Sequence, residues 1–257
     1  MSENERKTRI ARRFAAAAAT YDVASQAQQQ AAQRLAELVM RLPVTGRPPR
    51  ILEIGCGSGH LTEALRPHLP GEWFVSDIAP AMVDRCRRRC APGAHYFVMD
   101  GEVPSLTGPF DLIVSNLAAQ WFVDLPGGLA GLAELLTPGG LLALSTLGEH
   151  NFAAWRAAHE AVELSAAMVA YPATAALLAA LPEALALEQV AEQHLSAHRG
   201  GPLDFLHSLR ALGADTPAPT SRPLTAGQLR RVLRSLARHA PQGVHYHVVH
   251  LLARRRV

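Results

Sequence analysis

Cysteine, aromatic residues and charge are all scarce in this 257-residue chain. Three cysteines are too few for a disulfide framework. The aromatic fraction is 5% and the formal net charge is only +3, whereas a nucleic-acid-binding protein is usually more basic and richer in exposed aromatic side chains. Apolar runs stay well below the length of a membrane span, and the polar start of the chain has no signal-peptide pattern. We therefore expect a cytoplasmic protein that binds neither nucleic acid nor membrane.

Cys86 and Cys90 are one helical turn apart, a spacing that places two thiols on one face of a helix. A metal site would need further ligands, and no His or Cys pair at ligand spacing stands nearby. The sequence therefore predicts two half-buried thiols and no bound metal.

A glycine-rich stretch at residues 51–59, ILEIGCGSG, is the most informative part of the sequence. Ile51–Ile54 is typical of a short buried strand, and a helix is predicted from Ser58 to about Leu69. Glycines at alternate positions let the backbone turn tightly and lie directly against a ligand. Glu53 suits a ligand that carries an ammonium group. The third glycine comes one residue earlier than in the G-x-G-x-x-G of dinucleotide-binding folds, which disfavours a nicotinamide-dependent oxidoreductase.

Strand and helix patterns alternate from residue 50 onward. The predicted strands are Ile51–Ile54, Glu72–Ser76, His95–Met99, Phe110–Ser115, Leu141–Thr146, Ala186–Ser196 and Val244–Leu252, and a turn is predicted at Pro138–Gly140. The predicted helices outside the glycine turn are Arg9–Ala19, Gln26–Arg41, Pro80–Arg89, Gly127–Leu136, Asn151–Ala170, Ala173–Leu181, Pro202–Ala211 and Thr225–Arg238. This order predicts an α/β, Rossmann-like fold with a seven-stranded, mostly parallel sheet and helices on both faces.

The same pattern predicts four parts of the chain. Residues 1–45 form an N-terminal helical cap, and residues 46–148 form the core that binds the ligand. Residues 149–185 form a helical lid inserted after the fifth strand. Residues 186–257 complete the core with strands six and seven and add further lid helices.

Polar residues follow three of the predicted strands. Asp77 ends the second strand, where a carboxylate can accept both ribose hydroxyls of an adenosine ligand. Asp100 ends the third strand, where it can accept the adenine amino group, and Asn116 ends the fourth. A single strand-end Asp is often only a helix N-cap, and the glycine turn alone is compatible with a purely structural turn. Because parallel strands share one carboxyl edge, the four features together predict a single adenosine-binding site.

The E-x-G-x-G-x-G pattern resembles the first motif of the class I S-adenosylmethionine-dependent methyltransferases, and residues 50–147 resemble the core of that superfamily. Three further stretches are similar to the malonyl-acyl-carrier-protein O-methyltransferases of biotin synthesis: FAAAAATYD at 14–22, SNLAAQW at 115–121 and SLRALGA at 208–214. The resemblance covers almost the whole chain and is poor over residues 149–181. It implies a class I methyltransferase fold, with S-adenosylmethionine as methyl donor, S-adenosylhomocysteine as product and no metal.

The glycine turn, the strand ends and the resemblance together indicate the following cofactor-binding residues: Glu53, Gly55, Cys56, Gly57, Gly59, Asp77, Ile78, Met82, Asp100, Gly101, Glu102 and Asn116. The implied acceptor is the free carboxylate of a malonyl thioester, carried by an acidic acyl carrier protein or by coenzyme A as malonyl-CoA. The residues expected to position it are Tyr21, Gln120, Trp121, Arg156 and Arg210. For Tyr21 and Trp121 the alternative is plain packing, and for the two arginines it is an exposed surface position.

Two other functions remain open at this point. One is a methyltransferase for another small carboxylic acid or a quinone-type precursor, and the other is a module that binds S-adenosylmethionine without catalysis. A basic rim for the acidic carrier is expected at the mouth of the lid. The chain is expected to be a monomer or a weak homo-oligomer.

Overall fold

The computed structural model describes residues 3–44, 48–90, 92–166, 168–197, 201–213, 223–240 and 242–257. The strands in these ranges are β1 Arg50–Ile54, β2 Glu72–Asp77, β3 Ala94–Val98, β4 Phe110–Asn116, β5 Leu136–Leu147, β6 Leu185–Ser196 and β7 His245–Arg255. They form one sheet in the order β3-β2-β1-β4-β5-β7-β6. Strands β1 to β5 are parallel, and β7 lies antiparallel between β5 and β6. The predicted seven-stranded, mostly parallel sheet is confirmed.

Helices cover both faces of this sheet. They are α1 Glu3–Ala17, α2 Tyr21–Ala24, α3 Gln26–Met40, α4 His60–Leu65, α5 Pro80–Cys90, α6 Leu125–Glu134, α7 Ala153–Glu160, α8 Thr174–Ala179, α9 Pro202–Ala211 and α10 Ala226–His239, with a 3-10 turn at Ala119–Trp121. None of the helices in the described part of the chain is long and apolar enough to cross a membrane.

The central strands are buried on both faces because their side chains alternate between two helical layers. On one face Ile51 packs with Leu35 and Leu38 of α3. On the other face Leu52 packs with Leu129 and Leu132 of α6. This two-sided burial explains why β1 appears in the sequence as a continuous apolar run interrupted only by an acidic residue.

Sheet register brings the carboxyl ends of β1, β2 and β4 side by side. Ile54, the last residue of β1, pairs with Ser76 of β2 and with Ser115 of β4. The residues that follow these positions are the glycine turn, Asp77 and Asn116. The predicted strand-end residues therefore lie on one edge of the sheet, next to one another.

The helix predicted over Asn151–Ala170 is wrong beyond its first part, because α7 ends at Glu160. Glu163 has a positive φ of 56°, and the amide of Leu164 donates to the carbonyl of His159 instead of continuing the helix. The following segment packs Leu164 and Met168 against a hydrophobic cluster. Burial in the fold therefore overrides the helical propensity of this alanine-rich stretch.

Strand β5 also differs from the sequence-based expectation. The predicted turn at Pro138–Gly140 is a bulge inside β5, since Phe110 pairs with Leu136 while Leu112 already pairs with Leu141. The strand consequently begins five residues earlier than predicted. The predicted boundary between cap and core at residues 45 and 46 lies outside the described residues, as does residue 214 of the SLRALGA stretch.

Candidate active site

A cavity of about 710 Å³ lies at the carboxyl ends of β1, β2, β3 and β4, beneath α1. This main cavity is lined by Lys7, Ile10, Phe14, Tyr21, Ile54, Gly55, Gly57, Asp77, Ile78, Met82, Met99, Asp100, Gly101, Glu102, Asn116, Leu117, Ala118, Trp121 and Phe122. This volume includes space that is open to solvent. Nine of the twelve predicted cofactor residues line it.

A second cavity of about 500 Å³ adjoins the main one. Both cavities are lined by Phe14, Tyr21, Leu117 and Trp121, which therefore form a shared wall. The rest of the second cavity is lined by Gln28, Gln120, Leu147, Phe152, Tyr171, Leu209, Leu212 and Tyr246. Two ligands, one in each cavity, would lie against the same four side chains.

The glycine turn presses closely against its neighbours. Gly55 and Gly57 have φ values of 69° and 53°, which L side chains rarely adopt. A Cβ atom on Gly55 would lie 2.3 Å from the Cβ of Ala118, so this position has no room for a side chain. The amide of Cys56 donates to the carbonyl of Ser76 at 2.8 Å. The turn thus exposes bare backbone to the main cavity.

Asp77 joins β2 to the glycine turn. Its Oδ2 accepts from the amide of Gly57 at 2.9 Å and its Oδ1 accepts from the amide of Ala79 at 2.8 Å. Burial raises the pKa of the carboxyl group, although these two amide bonds oppose the shift. Each carboxylate oxygen retains a lone pair for a ligand hydroxyl. Ile78 and Met82 supply an apolar wall beside it.

Glu53, Cys56 and Gly59 belong to the same glycine-rich stretch but do not line the main cavity. Glu53 is 1% exposed, and its Oε2 accepts from the hydroxyl of Thr62 at 2.6 Å. Burial raises the pKa of Glu53 to about 8, and the bond from Thr62 only partly offsets the shift. A direct contact between Glu53 and a cofactor stays a prediction.

Asp100 and Glu102 are joined by the lysine of α1. Lys7 Nζ lies 2.7 Å from Asp100 Oδ2 and 2.8 Å from Glu102 Oε2. Burial alone would lower the pKa of Lys7, but the two carboxylates raise it to about 12. Glu102 also accepts from the amides of Val123 and Asp124. Its carboxylate therefore fastens the segment before α6, while the backbone of Gly101 beside it packs directly on Ile54.

Asn116 connects the two cavities through its side-chain amide. Its Nδ2 donates to the carbonyl of Gln28 at 3.1 Å, and its Oδ1 accepts from the hydroxyl of Ser145 at 2.8 Å. Gln120 Nε2 donates to the carbonyl of Leu117 at 2.7 Å. Gln120 Oε1 is buried and makes no hydrogen bond within the described residues. Because a buried unsatisfied acceptor is costly, it suits a donor on a ligand in the second cavity.

Three aromatic rings form most of the shared wall. Phe14 makes edge contacts with Tyr21, at a centroid separation of 6.5 Å, and with Trp121, at 5.5 Å. The Tyr21 hydroxyl oxygen would lie 3.8 Å from a Cβ on Gly57, so it sits over the glycine turn. Burial, together with the nearby Asp77, raises the pKa of Tyr21 well above its usual value. The hydroxyl therefore remains protonated and can donate a hydrogen bond.

The two predicted arginines line neither cavity. The guanidinium of Arg156 donates to the backbone carbonyls of Asn151 and Glu149 at the start of α7. Arg210 is exposed on α9, whereas its neighbour Leu209 lines the second cavity. A role for either arginine in holding an acceptor carboxylate stays a prediction.

The three cysteines cluster behind the glycine turn. Cys86 Sγ and Cys90 Sγ are 4.0 Å apart. A hydrogen bond with Cys86 lowers the pKa of Cys56, but burial and nearby carboxylates raise it to about 11. Within the described ranges, no three His, Cys, Asp or Glu side chains are grouped to hold a metal ion.

Several cavity residues had no signal of their own in the sequence. Lys7 and Ile10 belong to α1, whose amphipathic pattern does not reveal what its inner face covers. Lys7 is the only lysine of the chain, a count that could have drawn attention to it. Tyr171 and Tyr246 reach the second cavity from parts of the chain far from the core motifs, so only the tertiary fold places them there.

The residues of the main cavity fit an adenosine ligand that carries a methionine chain. Asp77 and Asp100 offer carboxylate acceptors at two strand ends, and Ile78, Met82 and Met99 offer apolar surface for a ring. The side-chain-free turn at Gly55 and Gly57 gives a backbone cradle that a Cβ would distort. The donor set and the backbone cradle are therefore mutually consistent for such a ligand.

Sequence comparisons agree with this geometry. Residues 24–198 match a family model described as a methyltransferase domain. The biotin biosynthesis bifunctional protein BioCD of Bordetella avium is 46% identical over 231 residues, which cover 89% of this chain and 49% of that protein. The malonyl-[acyl-carrier protein] O-methyltransferase of Magnetococcus marinus is 38% identical over 254 residues, which cover 96% of this chain and 93% of that protein. The chain thus spans about half of the first relative and nearly all of the second.

Solved structures show the same fold at low sequence identity. The YcgJ protein of Bacillus subtilis has a TM-score of 0.58 at 14% identity, covering 87% of this chain and 99% of that chain. The N-methyltransferase NodS of Bradyrhizobium japonicum, solved with S-adenosyl-L-homocysteine, has a TM-score of 0.52 at 16% identity, covering 90% of this chain and 87% of that chain. Both structures support the Rossmann-like fold alone.

Proposed function

We propose that this chain, which belongs to the family of the malonyl-[acyl-carrier protein] O-methyltransferases, transfers the methyl group of S-adenosylmethionine to the free carboxylate of a malonyl thioester. The relative from Magnetococcus marinus, which matches nearly end to end, is named for malonyl-[acyl-carrier protein]. The relative from Bordetella avium is named for biotin biosynthesis. A carrier-linked acceptor at the start of biotin synthesis, a cytoplasmic location and a monomeric or weakly associated state all form part of this proposal.

One observation carries the proposal more than any other. The main cavity fits the methyl donor, and the second cavity adjoins it across the wall of Phe14, Tyr21, Leu117 and Trp121. A donor and an acceptor in the two cavities would meet at this wall. A module that only binds the nucleoside would not need the second cavity.

In the main cavity we assign the ribose hydroxyls to Asp77 and the adenine amino group to Asp100. Ile78 and Met82 would contact the adenine ring, and the backbone at Gly55 and Gly57 would lie against the methionine chain. Asn116, which contacts the backbone of Gln28, would face the reacting end. This orientation directs the reacting group towards the shared wall.

When bound, S-adenosylmethionine supplies a methyl group on a positively charged sulfur. The malonyl carboxylate is already ionised at neutral pH. One of its oxygens bonds to the methyl carbon as the carbon–sulfur bond breaks, and the two charges cancel to leave a neutral methyl ester and a thioether. Because no proton moves, the chain needs no general base at this site.

The chain's own residues then contribute orientation and exclusion of water. The aromatic wall leaves little space for water around the carboxylate, which would otherwise shield the nucleophilic oxygen. The protonated hydroxyl of Tyr21 would donate to the carboxylate and hold its free oxygen in line with the methyl group. Gln120 and Trp121 would line the acceptor side of the wall.

A direct assay tests the function. The full chain is incubated with radiolabelled S-adenosylmethionine and malonyl-acyl carrier protein, and label released by mild base is counted as methyl ester. We expect ester from the parent and a loss of at least a hundredfold for Asp77→Ala, with calorimetry reporting the lost affinity for S-adenosylhomocysteine.

Substrate alternatives give different results in the same assay. Equal activity on malonyl-CoA and on the carrier-linked substrate, without a salt effect, would favour an enzyme for free small acids. Binding of S-adenosylhomocysteine without methyl transfer to any acyl thioester would favour a non-catalytic binding module. Absence of both binding and ester formation would overturn the proposal.

A further inference from the structure

Helix α2 is too short to set its own orientation. It has four residues and no side-chain cap, and it has no buried residue. A single helical turn is not stable by itself, because forming it costs more conformational entropy than its hydrogen bonds return. Val23 in its middle is 92% exposed. The ring of Tyr21 packs on Phe14, and the rest of the support for α2 must come from contacts made by its other side chains.

Asp22 joins α2 to α5 through two ion pairs. Its Oδ2 lies 2.6 Å from Arg85 Nη2 and 3.2 Å from Arg89 Nη2, both on α5. Its carboxylate also accepts a hydrogen bond from Ser58 of the glycine turn, and although burial alone would raise the pKa of Asp22, this bond and the two arginines hold it below its usual value. The side chains of Asp22 and both arginines are about one quarter exposed, so the cluster is shielded from solvent more than a surface pair.

The cluster extends from α2 into the glycine turn. Arg89 Nη1 donates to the carbonyl and to the hydroxyl of Ser58, each at 3.0 Å. Burial and the adjacent Arg89 lower the pKa of His60 to about 4. The neutral ring can then accept from Arg89 at Nδ1, at 3.3 Å, and donate from Nε2 to Ser25, at 2.8 Å. The ion cluster thus ties both ends of α2 to the cofactor side of the core.

We propose that Asp22 is a positioning residue for methyl transfer, which it supports by fixing Tyr21 over the glycine turn through Arg85 and Arg89. Asp22 lines neither cavity, so it acts through its neighbour. This inference rests on the proposed function, since Tyr21 matters only if a donor and an acceptor meet at the shared wall.

Substitution of Asp22 separates positioning from binding. Asp22→Asn keeps the shape and removes the charge, so we expect kcat to fall about tenfold while the Kd for S-adenosylhomocysteine rises less than threefold. Asp22→Glu keeps the charge and should recover at least half of the lost rate. Arg85→Gln combined with Arg89→Gln should reproduce the loss from the other side of the cluster. Arg88→Gln, an exposed change on the same helix, should leave kcat unchanged.

A double-mutant cycle with Tyr21→Phe shows whether Asp22 acts through Tyr21. In the Phe background, Asp22→Asn should cost less than twofold, because the hydroxyl that it positions is already gone. Amide hydrogen exchange of residues 20–25 should accelerate in Asp22→Asn and stay at the parent rate in Arg88→Gln.

Two results would overturn the inference. One is a parental kcat for Asp22→Asn. The other is an equal loss with and without the Tyr21 hydroxyl, with no rescue by Asp22→Glu. Failure of the proposed function gives a different result, because the parent itself would then form no ester. In that case amide hydrogen exchange at residues 20–25 would still report whether Asp22 holds α2.

Discussion

Glu53 is a fully buried carboxyl group. Among the described residues, its side chain forms no hydrogen bond or ion pair with a lysine or an arginine. In the folded chain its pKa is raised to about 8 by burial, whereas in the unfolded chain the group ionises at its ordinary value of 4.5. Between these two values the unfolded state binds fewer protons than the folded state. The free energy of unfolding must therefore fall as pH rises through this window.

We expect Glu53→Gln to remove this pH dependence, because the amide still accepts from Thr62 but does not ionise. Between about pH 5 and pH 8, the free energy of unfolding of the parent, measured with urea, should fall by up to about 1.4 kcal/mol per pH unit relative to that of the variant. Glu37→Gln, at an exposed position on α3, is the control and should follow the parent. Parallel stability curves for the parent and Glu53→Gln would contradict the expectation.

Among the single residues, those at strand ends could be predicted from the sequence. Asp77, Asp100 and Asn116 follow apolar strands directly, so a parallel sheet brings them to one edge. The hydrogen bonds that Glu102 accepts from the amides of Val123 and Asp124 could not be predicted from the sequence. They depend on the tertiary position of a segment about twenty residues away.

At the level of elements, α1 covers the main cavity, and Lys7 links it to two carboxylates that line this cavity. Lys7 is 12% exposed, and its single positive charge lies against both Asp100 and Glu102. Lys7→Met keeps the apolar stem and removes the charge, leaving the two carboxylates without their cation. Loss of one partner from a largely buried pair is destabilising, here by about 1–3 kcal/mol.

Urea unfolding should report this loss in the free energy of unfolding of Lys7→Met. The backbone amides of α1 should exchange hydrogen at least tenfold faster in Lys7→Met than in the parent. Arg12→Gln, an exposed change on the same helix, should leave both measurements near the parent. If Lys7→Met and Arg12→Gln behave alike, Lys7 does not fasten the helix.

Elements with a clear period were predicted well, and elements defined by tertiary packing were not. The strands β2, β4 and β6 begin and end within one residue of their predicted bounds. Helix α7 ended early because the chain after it buries Leu164 and Met168 instead of continuing to wind. Helix α2 could not be foreseen at all, since a single turn carries no periodic pattern and depends on ion pairs from α5.

At the scale of the whole molecule, one helix near the second cavity carries a row of positive charges. Helix α10 presents the exposed arginines Arg230, Arg231, Arg234 and Arg238 and contains no acidic residue. It packs on α7 and α9, and α9 contributes Leu209 to the second cavity. An acidic carrier that delivers its acyl group to this cavity would therefore approach a basic surface, which favours encounter at low ionic strength.

We expect Arg230→Glu combined with Arg234→Glu to raise the KM for malonyl-acyl carrier protein about tenfold with kcat unchanged, because reversed charge repels the carrier before docking. The KM for malonyl-CoA should change less than threefold. Added salt should weaken carrier use by the parent more than by the variant, since screening acts on the exposed charges. Arg41→Glu, an exposed charge reversal just after α3, serves as the control. An equal rise in KM for the double variant and the Arg41→Glu control, or no rise in either, would place carrier docking elsewhere on the surface.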